Sequence, residues 1–137
     1  MRVLIDTNIM IDAITNRDGR SGFSAQVIDL CAGGIIEGLL APHSLSNMYY
    51  ILRKDYSDTQ RRIILRRYSE ILAVVELNKA IVDSAINNTV ITDFEDALQH
   101  ACAESAGADY IVTRNTKDYA GSVIRAVLPE DLLKILS

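Results

Sequence analysis

Tryptophan is absent from this 137-residue chain, and cysteine, proline and histidine occur only twice each. So few cysteines exclude a disulfide-stapled scaffold, and Cys31 and Cys102 both lie in apolar helical patterns typical of reduced core thiols. His43 and His100 are far apart and fit no spaced ligand motif, so the histidines predict no zinc site.

The chain also lacks an excess of positive charge, because 18 acidic residues outnumber 14 basic ones, the formal net charge is −4 and the pI is about 5.1. Bulk charge therefore does not indicate a nucleic-acid partner, which would have to bind a local basic patch. No apolar run is long enough to span a membrane and the N-terminus has no signal-peptide pattern, so we expect a cytoplasmic protein. The 49% of hydrophobic and 23% of charged residues indicate one compact domain over residues 1–137.

The first twelve residues, MRVLIDTNIMID, organise the chain. Residues 3–5 form a short apolar run that is typical of a central strand in a parallel sheet. Asp6, Thr7 and Asn8 follow, and these residue types favour strand ends and helix N-caps. Asp6 is therefore placed at the carboxyl end of a strand, where open α/β sheets bind their ligands. Helix capping alone would also explain it.

Strand and helix patterns alternate along the rest of the chain. Further strands are predicted at 35–41, 73–77, 110–113 and 123–127. Helices are predicted from residue 9 and at about 23–32, 42–52, 59–72, 79–87, 93–106 and 129–136, with a loop at 16–22. In the late helix, residues 92–95 fit a capping box, and Phe94, Ala97, Leu98, Ala101 and Cys102 mark one face. This alternation predicts an α/β fold, with a parallel sheet covered on both faces.

Acidic residues gather at the predicted carboxyl edge of this sheet. Asp6 ends the first strand, Asp93, Glu95 and Asp96 lie in the first turn of the late helix, and Asp118 follows the fourth strand. The helix dipole favours acids in a first turn whatever the function, so capping explains any one of that group. Converging carboxylates repel one another unless a cation lies among them, and Mg²⁺ and Mn²⁺ prefer such oxygen ligands. The pattern predicts metal-assisted phosphodiester hydrolysis.

Three blocks, DTNIMID, DALQHA and IVTRNTKDY, resemble the motifs of PIN domains, the fold of the VapC-type toxin ribonucleases. The resemblance covers essentially the whole chain. It implies a five-stranded parallel sheet in a three-layer α/β/α sandwich. It also implies an endoribonuclease that depends on Mg²⁺ or Mn²⁺ and cuts RNA, often a homodimer and often inhibited by a cognate antitoxin.

The resemblance assigns roles by position. It assigns metal binding and catalysis to Asp6, Asp96 and Asp118. The residues expected to support them are Thr7, Asn8, Asp12, Asp93, Thr113, Arg114 and Asn115. Arg114 is the arginine that we expect beside a scissile phosphate.

One position departs from the usual family pattern. PIN domains usually carry a glutamate in the helix after the second strand, where this chain has Asn47. An amide oxygen can ligate a hard cation or hold a water molecule, but it brings no negative charge. Asn47 therefore predicts a catalytic site that binds metal more weakly. The surrounding sequence also resembles a PIN subgroup in which asparagine is ordinary at this position, and then Asn47 is no loss.

Basic residues concentrate in one helical region in spite of the negative net charge. They are Arg53, Lys54, Arg61, Arg62, Arg66 and Arg67. A track for the phosphate backbone of RNA is one interpretation, and a solvated surface with local pairs such as Arg66 with Glu70 is the other. Tyr49, Tyr50 and Tyr56 are candidates to stack on bases, although Tyr49 fits a core position.

Two other functions compete with the nuclease. A non-catalytic PIN module that binds RNA or a protein is favoured by Asn47 and by the acidic pI. A phosphatase of the dehalogenase type or a phospho-receiver also uses acids at strand ends with Mg²⁺. The phosphatase would need an aspartate where Asn8 stands, and neither residues 41–42 nor 77–78 supply the aspartate that a receiver phosphorylates.

Overall fold

The computed structural model describes residues 1–15 and 21–137. Five strands occur in the described part, at Arg2–Ile5 (β1), Glu37–Leu40 (β2), Ala73–Val74 (β3), Tyr110–Val112 (β4) and Arg125–Val127 (β5). They form one parallel sheet in the order β3-β2-β1-β4-β5. The predicted α/β fold with a five-stranded parallel sheet is therefore confirmed, and β1 lies at its centre.

Seven α-helices connect and cover the strands in the described part of the chain. They are Thr7–Thr15 (α1), Ser21–Ala32 (α2), Pro42–Ile51 (α3), Asp58–Ile71 (α4), Lys79–Ile86 (α5), Phe94–Ser105 (α6) and Pro129–Leu136 (α7). Two short 3₁₀ helices occur at Leu52–Lys54 and Thr116–Tyr119. None of the helices in the two described ranges is long and apolar enough to cross a membrane.

Alternation along β1 divides the hydrophobic core into two layers. Val3 and Ile5 belong to one buried cluster, which holds residues of α1, α2, α3, α4 and α7. Leu4 belongs to the second cluster, which is built mainly from α5, α6 and the neighbouring strands. The sheet thus has helices on both faces, as a three-layer sandwich requires.

Gly38 in β2 shows why a glycine stands in a buried strand. A Cβ atom at this position would lie 2.4 Å from Cδ2 of Leu72 and 2.6 Å from Sγ of Cys31. Only a residue without a side chain lets these neighbours pack against the sheet. Cys31 and Cys102 are both free and buried, as the sequence predicted.

The edge strands are shorter than predicted. In β3 only Ala73 and Val74 pair with β2, so the predicted strand over 73–77 is too long. In the predicted strand over 123–127, Val123 is 77% exposed and pairing starts at Arg125. Apolar residues at a sheet edge give the same local pattern whether or not they find a partner strand.

The helix starts also differ from the predictions. The loop predicted at 16–22 lies outside the described residues except for Ser21 and Gly22, which belong to α2. The prediction of a capping box over 92–95 was wrong, because the N-cap is Asp93 rather than Thr92. The Asp93 side chain accepts from the backbone N of Asp96. With the helix beginning at Phe94, this residue is 51% exposed and the buried face of α6 starts at Ala97.

Candidate active site

A cavity of about 430 Å³ opens at the carboxyl edge of the sheet. The start of α1, the first turn of α6 and the loop after β4 meet there, because β1 and β4 are neighbouring parallel strands. Its walls contain Asp6, Thr7, Asn8, Ile11, Asp12, Ile51, Asp93, Glu95, Asp96, Arg114 and Asn115. Three segments that are distant in the sequence therefore meet at this cavity.

Asp6 is held rigidly at the floor of this cavity. Its backbone N donates to the carbonyl O of Val112, and its side chain is only slightly exposed. Its Oδ2 accepts from Thr113 Oγ1 at 2.8 Å and from the Tyr119 hydroxyl at 3.2 Å. Burial raises the pKa of Asp6, hydrogen bonds from Thr113 and Tyr119 oppose that rise, and the charge of Asp118 adds to it.

Asp96 faces the same group of charges from α6. Burial raises its pKa to about 7, and the negative charges of Asp6, Asp93, Asp118 and Glu95 add to this rise. Burial and an excess of neighbouring negative charge therefore both disfavour the ionised form of Asp96. A divalent cation in the cavity would reverse that imbalance.

Asp93 has a structural role that its position in α6 explains. Its side chain accepts from the backbone N of Asp96 at 3.0 Å and thereby caps the helix. The cap fixes the first turn of α6, which carries Asp96. The supporting role predicted for Asp93 fits this geometry.

Thr113 and Asn8 link the loop after β4 to α1. Thr113 Oγ1 donates to Asp6 and accepts from the backbone N of Asn115 at 3.0 Å. Asn8 Oδ1 accepts from the backbone N of Arg114 at 3.1 Å. These bonds orient Asp6 against the loop, and the side chain of Asn115 lies in the cavity wall.

Asp118 does not belong to the cavity wall. It is exposed on the 3₁₀ helix 116–119, outside the residues that line the cavity. Its charge still acts on Asp6 and Asp96, raising the pKa of each. Its assignment as a metal ligand stays a prediction.

Sequence reasoning did not single out Tyr119, although it directly follows Asp118 in the third motif. Tyr119 is 3% exposed, and its hydroxyl lies 3.2 Å from Asp6 Oδ2 and 3.4 Å from Asp96 Oδ1. Its own pKa is strongly raised by burial and by these two charges. A tyrosine at the end of an apolar and polar block is typical of the core, so nothing local in the sequence marks the hydroxyl as part of the site.

Glu95 belongs to the predicted acidic turn but is not among the predicted site residues. It lines the cavity, and burial together with the charges of Asp6 and Asp93 raises its pKa. A hydrogen bond with the Asn47 side chain acts in the opposite direction. Asn47 itself is half-buried and does not belong to the cavity wall. At this position, where most PIN domains carry a glutamate, the chain has an amide that contacts Glu95.

Arg114 lies in the cavity wall, and its positive charge is paired with two carboxylates. Its guanidinium donates to Asp12 Oδ2 at 3.1 Å and to Glu130 Oε1 at 2.8 Å, and its side chain is 12% exposed. Ser24 Oγ donates to the same Asp12 oxygen at 2.7 Å. This buried group ties the loop after β4 to α1, α2 and α7, and the expected place of Arg114 beside a scissile phosphate stays a prediction.

A buried network of hydrogen bonds links three of the helices around the site. Gln99 Nε2 donates to Ser44 Oγ at 2.6 Å and lies 3.3 Å from Thr7 Oγ1, and Thr7 donates to Ser44 at 2.8 Å. All three residues are buried. The network joins three helices: α1, which begins directly after Asp6, α3, which carries Asn47, and α6, which carries Asp96.

Three of the six predicted basic residues contact a tyrosine ring or an acid, and the other three are exposed. Arg53 stacks on Tyr50 at 3.8 Å, and Arg61 stacks on Tyr49 at 4.0 Å. Arg62 pairs with Asp58 at 3.1 Å. Lys54, Arg66 and Arg67 are exposed, and the ion pairs found in the described chain do not include the suggested pair of Arg66 with Glu70.

The carboxylates of the cavity suit a hard cation, although they supply only part of its coordination shell. In residues 1–15 and 21–137, no group of three or more carboxylate, imidazole or thiol side chains is arranged to hold a metal ion. Mg²⁺ commonly takes one or two carboxylates and completes its shell with water and substrate phosphates. Asp6 and Asp96, linked through Tyr119, fit that incomplete kind of site rather than an all-protein cage.

The fold and the cavity lining define a parallel α/β domain with an acidic site at the carboxyl edge of its sheet. The model of the PIN domain matches residues 2–117. The chain therefore belongs to the PIN domain family. The comparison with curated proteins finds no match to this sequence.

Solved structures confirm the fold. A toxin–antitoxin complex from Klebsiella pneumoniae matches with a TM-score of 0.71 at 21% identity, covering 93% of this chain and 97% of that chain. VapBC-1 from nontypeable Haemophilus influenzae matches with 0.70 at 18% identity, covering 95% and 99%. The sarcin–ricin-loop-cleaving toxin VapC20 of Mycobacterium tuberculosis matches with 0.67 at 16% identity, covering 88% and 96%.

Proposed function

We propose that this PIN domain is a metal-dependent endoribonuclease and the toxin of a toxin–antitoxin pair. The observation that carries the proposal is the cavity in which Asp6 and Asp96 lie together with Asp93 and Glu95. The one basic side chain in its wall, within the described residues, is Arg114, whose charge is paired with Asp12 and Glu130. A site that gathers negative charge in this way favours a divalent cation.

Asp6 and Asp96 would hold Mg²⁺ or Mn²⁺, with Asp118 close enough to add its charge. When bound there, such a cation would supply the Lewis acidity that phosphodiester hydrolysis needs. The chain's own contribution is orientation: Thr113 and Tyr119 fix the Asp6 carboxylate, and Asp93 fixes the turn that carries Asp96.

RNA is supported as the substrate by the basic residues beside the cavity. Ile51 lines the cavity, and the next residues along the chain lead to Arg53 and Lys54. Tyr50 is 63% exposed with the guanidinium of Arg53 stacked on it, an arrangement suited to a base and its phosphate. Arg66 and Arg67 extend the positive charge along α4.

A cognate antitoxin and a homodimer are proposed as partners. Two of the similar structures are a toxin–antitoxin complex and a VapBC assembly, which supports the antitoxin by analogy of fold. Exposed apolar side chains such as Phe23 on α2 and Ile63 on α4 are available for such contacts. We propose that the protein acts in the cytoplasm.

The second candidate is a PIN module that binds RNA without cutting it. Asn47 favours it, because an amide replaces one negative charge of the usual site. In this case Glu95, hydrogen-bonded to Asn47, would not compensate for the missing acid.

The deciding experiment is cleavage of a structured RNA pool with Mg²⁺, with Mn²⁺ and with a chelator. Asp6→Asn and Asp96→Asn should abolish cleavage while remaining folded by circular dichroism. Asp83→Asn is the matched control, because Asp83 lies on α5 and pairs with Lys79 at the surface. RNA binding without cleavage under either metal, in a folded wild type, would establish the second candidate.

A further inference from the structure

One hydroxyl connects the two central carboxylates of the site. The hydroxyl of Tyr119 lies within hydrogen-bond distance of Asp6 Oδ2 at 3.2 Å and of Asp96 Oδ1 at 3.4 Å. A phenol carries one proton, so it donates to one carboxylate at a time while remaining beside the other. Asp6 follows the central strand and Asp96 belongs to α6, so this contact spans two layers of the fold.

The side-chain hydrogen bonds of Asp6 are directed to one of its oxygens. Thr113 Oγ1 and Tyr119 both meet Oδ2, and the longer contact of Asn8 Nδ2 at 3.5 Å meets the same atom. The backbone N–H of Thr7 also donates to this carboxylate. Main-chain and side-chain donors together therefore fix the orientation of Asp6.

Packing alone does not account for the tyrosine. A phenylalanine would fill the same buried volume, and a buried hydroxyl costs free energy unless it finds a hydrogen-bond partner. The partners found for this hydroxyl are the two carboxylates. The hydroxyl is consequently part of the acidic site rather than of the core.

We infer that Tyr119 is a positioning residue that sets the spacing of Asp6 and Asp96 and so prepares them to bind one divalent cation. This inference rests on the proposed function, because it assumes that a cation binds there. It adds a residue that does not itself ligate the ion but holds both carboxylates that do.

The test is the binding of Mn²⁺ to purified protein, measured by titration calorimetry without RNA. Tyr119→Phe should weaken binding about 10- to 100-fold, the usual effect of losing a hydrogen bond to a metal ligand. Tyr68→Phe is the matched control, because Tyr68 is also a buried tyrosine and its hydroxyl donates to the carbonyl O of Met10 at 3.0 Å. It should bind Mn²⁺ as the wild type does.

A spectroscopic measurement does not require the Tyr119 variant to fold. Adding Mn²⁺ should change the near-ultraviolet tyrosine absorption of the wild type and of Tyr68→Phe equally, because the carboxylates beside Tyr119 acquire a cation.

The outcomes separate the inference from the proposed function. If the wild type binds Mn²⁺ and Tyr119→Phe binds it equally well or more tightly, the positioning role is overturned. The same holds if Mn²⁺ binds and the tyrosine spectrum of the wild type stays unchanged on adding Mn²⁺. If the wild type does not bind Mn²⁺, the metal-dependent function fails first, and the inference fails with it.

Discussion

Arg114 and Asp12 form an ion pair of 3.1 Å in which the side chains are only 12% and 7% exposed. The same guanidinium contacts Glu130, and Asp12 also accepts from Ser24. The loop that follows β4 is thereby fixed to three helices. Removing one partner of a buried pair leaves the other charge without full compensation.

Replacing Asp12 should therefore destabilise the fold far more than replacing a surface acid. Asp12→Ala is expected to lower the free energy of unfolding by about 3 kcal/mol, because Arg114 loses one of its two carboxylate partners. Asp83→Ala, which breaks the exposed pair with Lys79, should cost less than about 1 kcal/mol. Urea denaturation measures both, and equal losses would contradict the structural role of the Arg114 group.

The raised pKa of Asp96 predicts how stability depends on pH in the metal-free protein. Because the pKa in the folded state is about 7, above the ordinary value of 3.8, the folded state binds more protons between these values. The stabilising contribution is full below about pH 4 and is lost as the pH rises through about 7.

Asp96→Asn should abolish this pH dependence, because an asparagine carries no charge that burial would destabilise. In chelator, the variant should gain about 1–2 kcal/mol relative to the wild type between about pH 5 and pH 8, a figure discounted because the carboxyl is partly exposed. Thermal unfolding of both proteins across that range provides the measurement. A difference between the two proteins that does not change with pH would show that the charge of Asp96 is not destabilising.

The weak-site hypothesis for Asn47 predicts that restoring an acid strengthens metal binding. Asn47→Glu should increase the affinity for Mn²⁺ about 10-fold, because it adds a carboxylate beside Glu95 and the cavity acids. Asn47→Gln is the control, since it gives the amide the same length as the glutamate. Equal affinities of the wild type and Asn47→Glu would refute the hypothesis.

The basic face of α4 predicts a salt-dependent contribution to RNA binding. Neutralising Arg66 and Arg67 to Gln should weaken the binding of single-stranded RNA and lower the slope of log K against log salt by up to about 1.4. Lys79→Gln on α5 is the control, because α5 packs on the other face of the sheet. Unchanged binding would show that the α4 arginines are only a solvated surface.

Local patterns in the sequence locate the two central acids of the site. Asp6 follows a short apolar strand and begins DTN, which predicts the carboxyl edge of a parallel sheet. Asp96 lies in the acidic first turn of the late helix, and the resemblance of DALQHA to a PIN motif singles it out from Asp93 and Glu95. The core elements were predicted well for the same reason, whereas β3 and β5 were overestimated because pairing at a sheet edge depends on the neighbouring strand.

The sequence by itself determined the fold class, the family and the acidic edge, because strand and helix periodicity and the three motifs are local patterns. The tertiary structure alone decided which partners each charged or polar group has. It paired Arg114 with Asp12 and Glu130, placed Glu95 against Asn47, and put the Tyr119 hydroxyl between Asp6 and Asp96. These contacts join residues that are distant in the chain, and their distances depend on how the helices pack on the sheet.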